Sequence, residues 1–417
     1  MLLTILLFIS FAHAETPELE GYECSLLSDT GWNSGIRVLS YALSPLPDTG
    51  LKPQRIFLLE ADSHSSPSLH ACVQTRNGHV HASRMKVSEL CEQSGAENIL
   101  AAVNGDFFDT ASGGPLGWTM SDGRWITAGE FDNGICFGIR EDGTAIIGNP
   151  EAVFTYVVER NGSCLLEGNI SALNAPRADS PSGTSLPANA SAARSDNTAV
   201  LYTDDYSSST RTPAGGTELL FTPSEQLSTG STVSGTVEGI SFAGDMQILP
   251  GQAVLSFAPG SVPEITSVRE GDMISVTCHA SPLFDGAVSM TGGGRPDGGP
   301  QLVYAGEICS WQKVGLDDAS YFYDARHART AAGTRADGTW FILLAEGNRP
   351  GSSGMTVDEL AKTMKMLGAE YAVNLDGATS STLVLPRGKG FRAVSNTTDS
   401  AGELKVGCAL IIYSDKE

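Results

Sequence analysis

Positive charge is scarce in this chain: 26 Lys and Arg stand against 48 Asp and Glu, a formal net charge of −22 over 417 residues. That balance argues against nucleic acid or an anionic membrane surface as the main partner. It also means that an anionic ligand would need a local cluster of arginines. The eight cysteines (Cys24, Cys72, Cys91, Cys136, Cys164, Cys278, Cys309 and Cys408) include no C-x-x-C pair, so zinc and thioredoxin-like redox motifs find no support. An even number is compatible with disulfides, and the spacing selects none of the about 105 pairings. No Ser-His-Asp order is visible. After the first residues no run is long and apolar enough for an integral membrane span.

What is present points to turn-rich β structure, with 47 Gly and only 18% charged residues. Residues 1–14, MLLTILLFISFAHA, have the short apolar stretch and small-x-small end of a cleavable export signal, although no Lys or Arg precedes the stretch. The expected location is secreted, periplasmic or wall-associated. A lead-in (15–34) and one domain (35–417) follow, with a Ser/Ala/Pro-rich surface loop or insertion at 178–197. Short apolar runs between turn clusters predict strands at IRVLSYAL, RIFLLEA, LHACVQT, CFGI, AIIG, VFTYVV, AVLYT, AVLSFA, MISVTC, WFILLA, STLVL and CALIIY. Two segments read as helices. MTVDELAKTMKMLG carries apolar residues at helical spacing, a Thr356/Glu359 capping box and a stop at Gly368. The other is MKVSELCEQSG, from Met85 to Gly95. The fold class is therefore α+β: a β-rich single catalytic domain with few helices.

The two helical segments align without a gap at an offset of 270. MKVSELCEQSGAENILAAVNGD (85–106) and MTVDELAKTMKMLGAEYAVNLD (355–376) share Met, Val, Glu, Leu, Ala, Val, Asn and Asp. Each predicts a helix followed by a strand ending in Asn-x-Asp, a pseudo-repeated unit. Alternate strand side chains share a face, so Asn374 and Asp376 project together while Val373 and Leu375 project into the core. If the two ends converge, Asp106 and Asp376 belong to one site.

AAVNGDFFD (101–109), HARTAAG (327–333) and GNRPGSSGMTVDELAKTMKMLGAEYAVNLDGATSST (347–382) together resemble the phosphodiester glycosidase family. The glycine cluster TGGGRPDGGPQLV (291–303), LNAPRADS (173–180) and VLYTDDYSSSTRT (200–212) add to the resemblance. That family includes the enzyme that uncovers mannose 6-phosphate on lysosomal proteins and bacterial members described as exopolysaccharide-related. The resemblance implies an exported glycoside hydrolase that cleaves a sugar-1-phosphodiester into sugar and phosphomonoester, with a wall or capsule polymer as a substrate source. Two departures stand out. Glu346-Gly347-Asn348 replaces the family's Asp-Gly-Arg, with Arg349 one place later, and Ala378 and Thr379 replace two glycines. They keep open a glycan- or phosphoglycan-binding protein on the same fold.

A phosphate leaving group, with a second pKa of about 6, needs little protonation. The chemistry calls for a cationic cradle and a carboxylate at the oxocarbenium-like carbon. Asp376 is the first candidate for acid/base or nucleophilic work, with Asp106 or Glu346 as second carboxylate. Arg329 and Thr330 lead for phosphate binding, followed by Arg349 and Arg295, because a guanidinium fork pairs phosphate oxygens. Asn104 and Asn374 are candidate substrate partners, and Ser380, Ser381 and Thr382 candidate donors. Asn104, Asp106 and Asp109 also offer closely spaced hard oxygens for calcium or magnesium, which keeps open metal-dependent cleavage at the P–O bond. For Trp118 and Trp125, core packing competes with stacking on a sugar. His279 and His327 read as packed or surface residues.

Overall fold

The computed structural model describes residues 16–62, 69–128, 133–180, 198–295, 299–311, 319–396 and 402–415. The export signal, and all of the 178–197 loop beyond residue 180, lie outside the described residues.

Every predicted strand forms, and the strands assemble into four main sheets. Two of them position the site. One eight-stranded sheet runs, edge to edge, Tyr22–Asp29, Ile36–Pro45, Gln54–Ala61, Trp340–Ala345, Arg329–Thr334, Tyr371–Asn374, Gln301–Tyr304 and Glu307–Ile308. A five-stranded sheet runs Gly390–Ala393, Leu383–Arg387, Ile99–Asn104, Cys408–Ser414 and Leu69–Thr75. Their strands are two-sided, as alternation requires. Val38, Phe57, Leu59, Ile342 and Leu344 of the first sheet pack against Leu100, Val103, Leu410 and Ile412 of the second. The opposite set on the first sheet, including Leu39, Tyr41, Leu58, Phe341 and Leu343, packs against the helix Val357–Met366. Ala102, Ala409 and Ile411, on the far face of the second sheet, meet the helix Val87–Gln93. The result is helix, sheet, sheet, helix, each layer burying the apolar face of the next.

Both helices are terminated as their sequences require. Thr356 Oγ1 accepts from Glu359 N (3.2 Å), and Glu359 accepts in return from Thr356 N (3.0 Å). In the other unit Glu89 accepts from Lys86 N (3.4 Å), but a lysine side chain cannot return the bond. Gly95 (φ 71) and Gly368 (φ 87) adopt the left-handed conformation just past the helix ends. The lead-in departs from expectation: Tyr22–Asp29 is the edge strand of the eight-stranded sheet. Leu26 and Leu27 are its exposed apolar residues, and no buried stripe marked the strand in the sequence.

The other two sheets form a second β unit. The five-stranded one runs Ala145–Gly148, Cys136–Arg140, Ala287–Gly292, Thr119–Ser121 and Arg124–Thr127. The eight-stranded one includes Val153–Arg160, Met273–His279, Thr217–Phe221, Ala253–Phe257 and Ala199–Thr203, and buries Tyr156, Phe221, Phe257 and Val276. Trp118 and Trp125 stack edge-on with centroids 5.9 Å apart and are 5% and 1% exposed, so both are core residues. All eight cysteines are free thiols. Among the described residues no helix is long and apolar enough to cross a membrane.

Candidate active site

Register brings the predicted residues to one end of the paired sheets. Arg329 lies opposite Ala345 and Ala331 opposite Asn374, so Glu346, Arg329, Thr330 and Asn374 share an end of the larger sheet. Leu383 lies opposite Val103 and Asn104 opposite Ala409, which brings Asn104 and the loop through Ser380, Ser381 and Thr382 to the same end of the smaller one. The two Asn-x-Asp ends converge. Asp376 N donates to Gly105 O (3.3 Å), and Asn104 Nδ2 donates to Asp376 O (2.7 Å).

Asn104 is the clamp between the sheets. Its Oδ1 takes Thr330 Oγ1 (2.9 Å) and the N–H of Thr382 (3.1 Å), and Thr330 Oγ1 also bonds Ser381 Oγ (3.1 Å). Asn104, Thr330 and Thr382 are at most 1% exposed, so these polar residues assemble the loop from within. Asn374 Nδ2 donates to Leu375 O (2.6 Å), while its buried Oδ1 has no hydrogen-bond partner. The Thr382 hydroxyl is likewise buried and unbonded.

The two carboxylates sit in different surroundings. Asp106 is 1% exposed. Its Oδ1 accepts from Gly294 N (3.1 Å), and its Oδ2 has no hydrogen-bond partner. Burial pushes its pKa up to about 7, opposed by the N–H dipoles of Gly294, Phe107 and Gly117 and reinforced by the charge of Asp376. Asp376 is half-buried, accepts from Gly377 N (2.8 Å) and from the Ser380 hydroxyl, and is pushed up to about 6 by burial. The positive charge of Arg295 works against that rise.

Glycine is required around Asp106 because three backbones converge on it. A Cβ on Gly117 would lie 2.2 Å from Asp106 Oδ2 and 2.0 Å from Gly292 O. One on Gly294 would lie 2.6 Å from the same oxygen. The clusters GPLGW and TGGGR were visible in the sequence, and their closeness to Asp106 was not. The buried thiols of Cys136 and Cys408 complete a dry wall, their pKa values raised first by burial and then by the Asp106 charge.

Two guanidiniums share one aromatic ring beside this pair. Arg295 Cζ lies 3.7 Å from the Phe322 ring centroid and Arg329 Cζ 5.1 Å from it. Arg329 is 2% exposed and donates to three carbonyls: Met355 (Nε, 2.9 Å), Phe322 (Nη2, 2.6 Å) and Ala325 (Nη2, 3.2 Å). Among the described residues no carboxylate pairs with it, and burial together with the Arg295 charge pulls its pKa down to about 10. Phe322 belongs to the one-turn π-helix Ser320–Asp324, which the sequence reading did not anticipate. On the same turn the Tyr321 ring is 66% exposed, with its centroid 4.4 Å from that of His327. His327 Nε2 bonds Tyr321 O (2.9 Å), a packing role.

The remaining candidates are more dispersed. Glu346 is 2% exposed and accepts from Asn396 N (2.6 Å). Arg349 sits in the tight turn to Ser352 behind Asn348, which has φ 52. Asp109 Oδ1 accepts from Ala111 N (2.8 Å) within its own turn. Of the oxygens offered as cation ligands, Asn104 Oδ1, Asp106 Oδ1 and Asp109 Oδ1 accept internal bonds, while Asp106 Oδ2 accepts none. Among the described residues no group of three or more His, Cys, Asp or Glu is placed to hold a metal ion.

Residues 247–413 match the family model for phosphodiester glycosidase. A hypothetical protein from Synechocystis is similar at 18% identity and TM-score 0.66, over 95% of this chain and 68% of that one. A protein described as exported from Burkholderia pseudomallei is similar at 18% identity and TM-score 0.66, over 96% and 99%. Both show a shared fold. Zebrafish N-acetylglucosamine-1-phosphodiester alpha-N-acetylglucosaminidase, its catalytic domain auto-inhibited by pro-peptide, is similar at 16% identity and TM-score 0.47 over 95% and 89%, too low for a detailed comparison. No curated protein matches the chain.

Proposed function

We propose that this protein is an exported phosphodiester glycosidase, hydrolysing the bond between an anomeric carbon and the phosphate of a sugar-1-phosphodiester. The observation that carries the reading is the convergence of Asp106 and Asp376 beside the Arg295–Phe322–Arg329 stack. In this reading the guanidiniums hold the phosphodiester, which leaves as a phosphomonoester. Asp376, the more acidic and more open carboxylate, either deprotonates the water that attacks the anomeric carbon or attacks that carbon itself, forming a glycosyl ester that water then hydrolyses to free sugar. Asp106 holds a proton up to about pH 7 and donates a hydrogen bond to an oxygen of the reacting centre. Ser380 orients Asp376 through its hydrogen bond. Export rests on the leader sequence 1–14, and a wall or capsule polymer is the proposed source of substrate.

The test is hydrolysis of a panel of sugar-1-phosphodiesters by the mature protein, with products identified. Free sugar and a phosphomonoester are expected, with turnover at least about 100-fold lower in a folded Asp376→Asn variant. Arg295→Gln should raise KM more than it lowers kcat. Binding without turnover would favour a phosphoglycan-binding protein instead. Loss of activity with chelator, with cleavage at the P–O bond, would favour a metal-dependent phosphodiesterase.

A further inference from the structure

The second β unit contains a cavity of about 390 Å³ that shares no residue with the Asp106–Asp376 centre. It opens between the strand Arg124–Thr127 and the strands Ala199–Thr203, Thr217–Phe221 and Ala253–Phe257. Its volume falls in the range of about 300–1,000 Å³ typical of small-molecule pockets. Leu201, Phe221, Leu227 and Val233, each less than a tenth exposed, give it an apolar floor.

Its charge is one-sided. Asp204, Asp205 and Glu225 line the cavity against a single cation, Arg124. Arg124 Nη2 is committed to Asp205 Oδ1 at 3.0 Å. The Asp204 carboxylate accepts from the backbone N–H of Gly251 (2.8 Å), while its carbonyl oxygen bonds His79 Nδ1 (2.8 Å), and Glu225 is exposed on the loop after Phe221. Among the described residues neither has an ion-pair partner, so an apolar chamber has two uncompensated carboxylates at its mouth.

We propose that this cavity binds a small cationic amphiphile, its apolar body on the Leu201–Phe221–Leu227 floor and its amine end between Asp204 and Glu225. The floor supplies most of the affinity through buried area. The carboxylates choose the sign of the head group, each with the modest strength of a solvent-exposed pair. The inference is independent of the proposed glycosidase activity.

Octylammonium, 1-octanol and octanoate share one body and differ in charge. Titrated calorimetrically into the full chain at pH 7, octylammonium should bind roughly three- to tenfold tighter than octanol. Octanoate should bind weakest, and the advantage of the amine should shrink as salt rises. Glu225→Lys, on an exposed loop away from the floor, should bring octanoate level with or above octylammonium. Saturable binding in this order, altered in this way by the variant, supports the site. Octanoate binding as tightly as the amine in the parent, an unaltered order in Glu225→Lys, or no saturable binding of any probe would overturn it.

Discussion

Replacing Asp106 with asparagine keeps the size of the side chain and an acceptor for Gly294 N–H, but removes an ionisation that the fold resists. The native carboxyl titrates near 7, while the unfolded one returns to 3.8. Between those values the native state holds a proton that the unfolded chain has released, so stability falls as pH rises. The contribution is complete below about pH 4 and lost as pH passes through 7. About three units of difference at 1.36 kcal/mol each set a ceiling of about 4 kcal/mol. Asp376, shifted to about 6, acts in the same direction, and because its charge raises Asp106 the two contributions do not simply add. Urea denaturation at pH 4.5, 6, 7 and 8.5 measures the effect in parent and variant. Relative to the parent, Asp106→Asn should gain about 2–4 kcal/mol between pH 4.5 and 8.5. Parallel stability curves, or a parent that gains on the variant as pH rises, would refute the buried protonated carboxyl.

Two further outcomes follow from backbone geometry. Ala378 adopts φ 53, which costs an L-residue roughly 1–2 kcal/mol, and Ala378→Gly gives back part of that gain through a freer unfolded chain. The variant should be more stable by about 0.5–1 kcal/mol in urea denaturation; a loss of stability would mean that the methyl group packs usefully. Gly117→Ala should cost about 1–3 kcal/mol, since its Cβ meets two backbones and Asp106 at once, and should reduce turnover further than the folded fraction explains. A variant with parental stability and kinetics would mean that the glycine cradle is not needed.

The sequence disclosed local structure well because local structure depends on alternation and capping. Twelve apolar runs became strands, and the 3.6-residue spacing in 355–368 became a helix bounded by Thr356 and Gly368. The 270-residue offset disclosed more, since the paired Asn-x-Asp ends do meet. What stayed hidden was contact between distant segments. Gln54–Ala61 pairs with Trp340–Ala345 across most of the chain, and nothing in either strand's apolar pattern names its partner. Asn104 was a candidate substrate partner because it ends a strand in the repeated Asn-x-Asp, a place where asparagine also holds turns. In the structure its polarity serves a clamp, because joining two sheet edges inside the protein needs donors and acceptors as much as binding a ligand does. Arg329 shows the same ambiguity: its guanidinium anchors three carbonyls while sharing the Phe322 ring with a second cation, Arg295.

The family match begins at residue 247, yet the residues it covers do not contain a complete site. Ile99–Asn104 lies between Leu383–Arg387 and Cys408–Ser414, pairing with both. Without it, the facing N–H and C=O groups of those two strands would lose their partners, a cost that burial makes severe. Asp106 follows directly from that strand, and its surroundings come from both halves: Gly117 from before the matched segment, Gly294 and Cys408 from within it. The carboxyl raised by burial at this site is therefore supplied from outside the matched segment. Sequence signal accumulates where many neighbouring positions are constrained together, as in the 347–382 loop and helix. A single aspartate with one glycine neighbour nearby, Gly117, and another far along the chain, Gly294, leaves only a few scattered letters to detect.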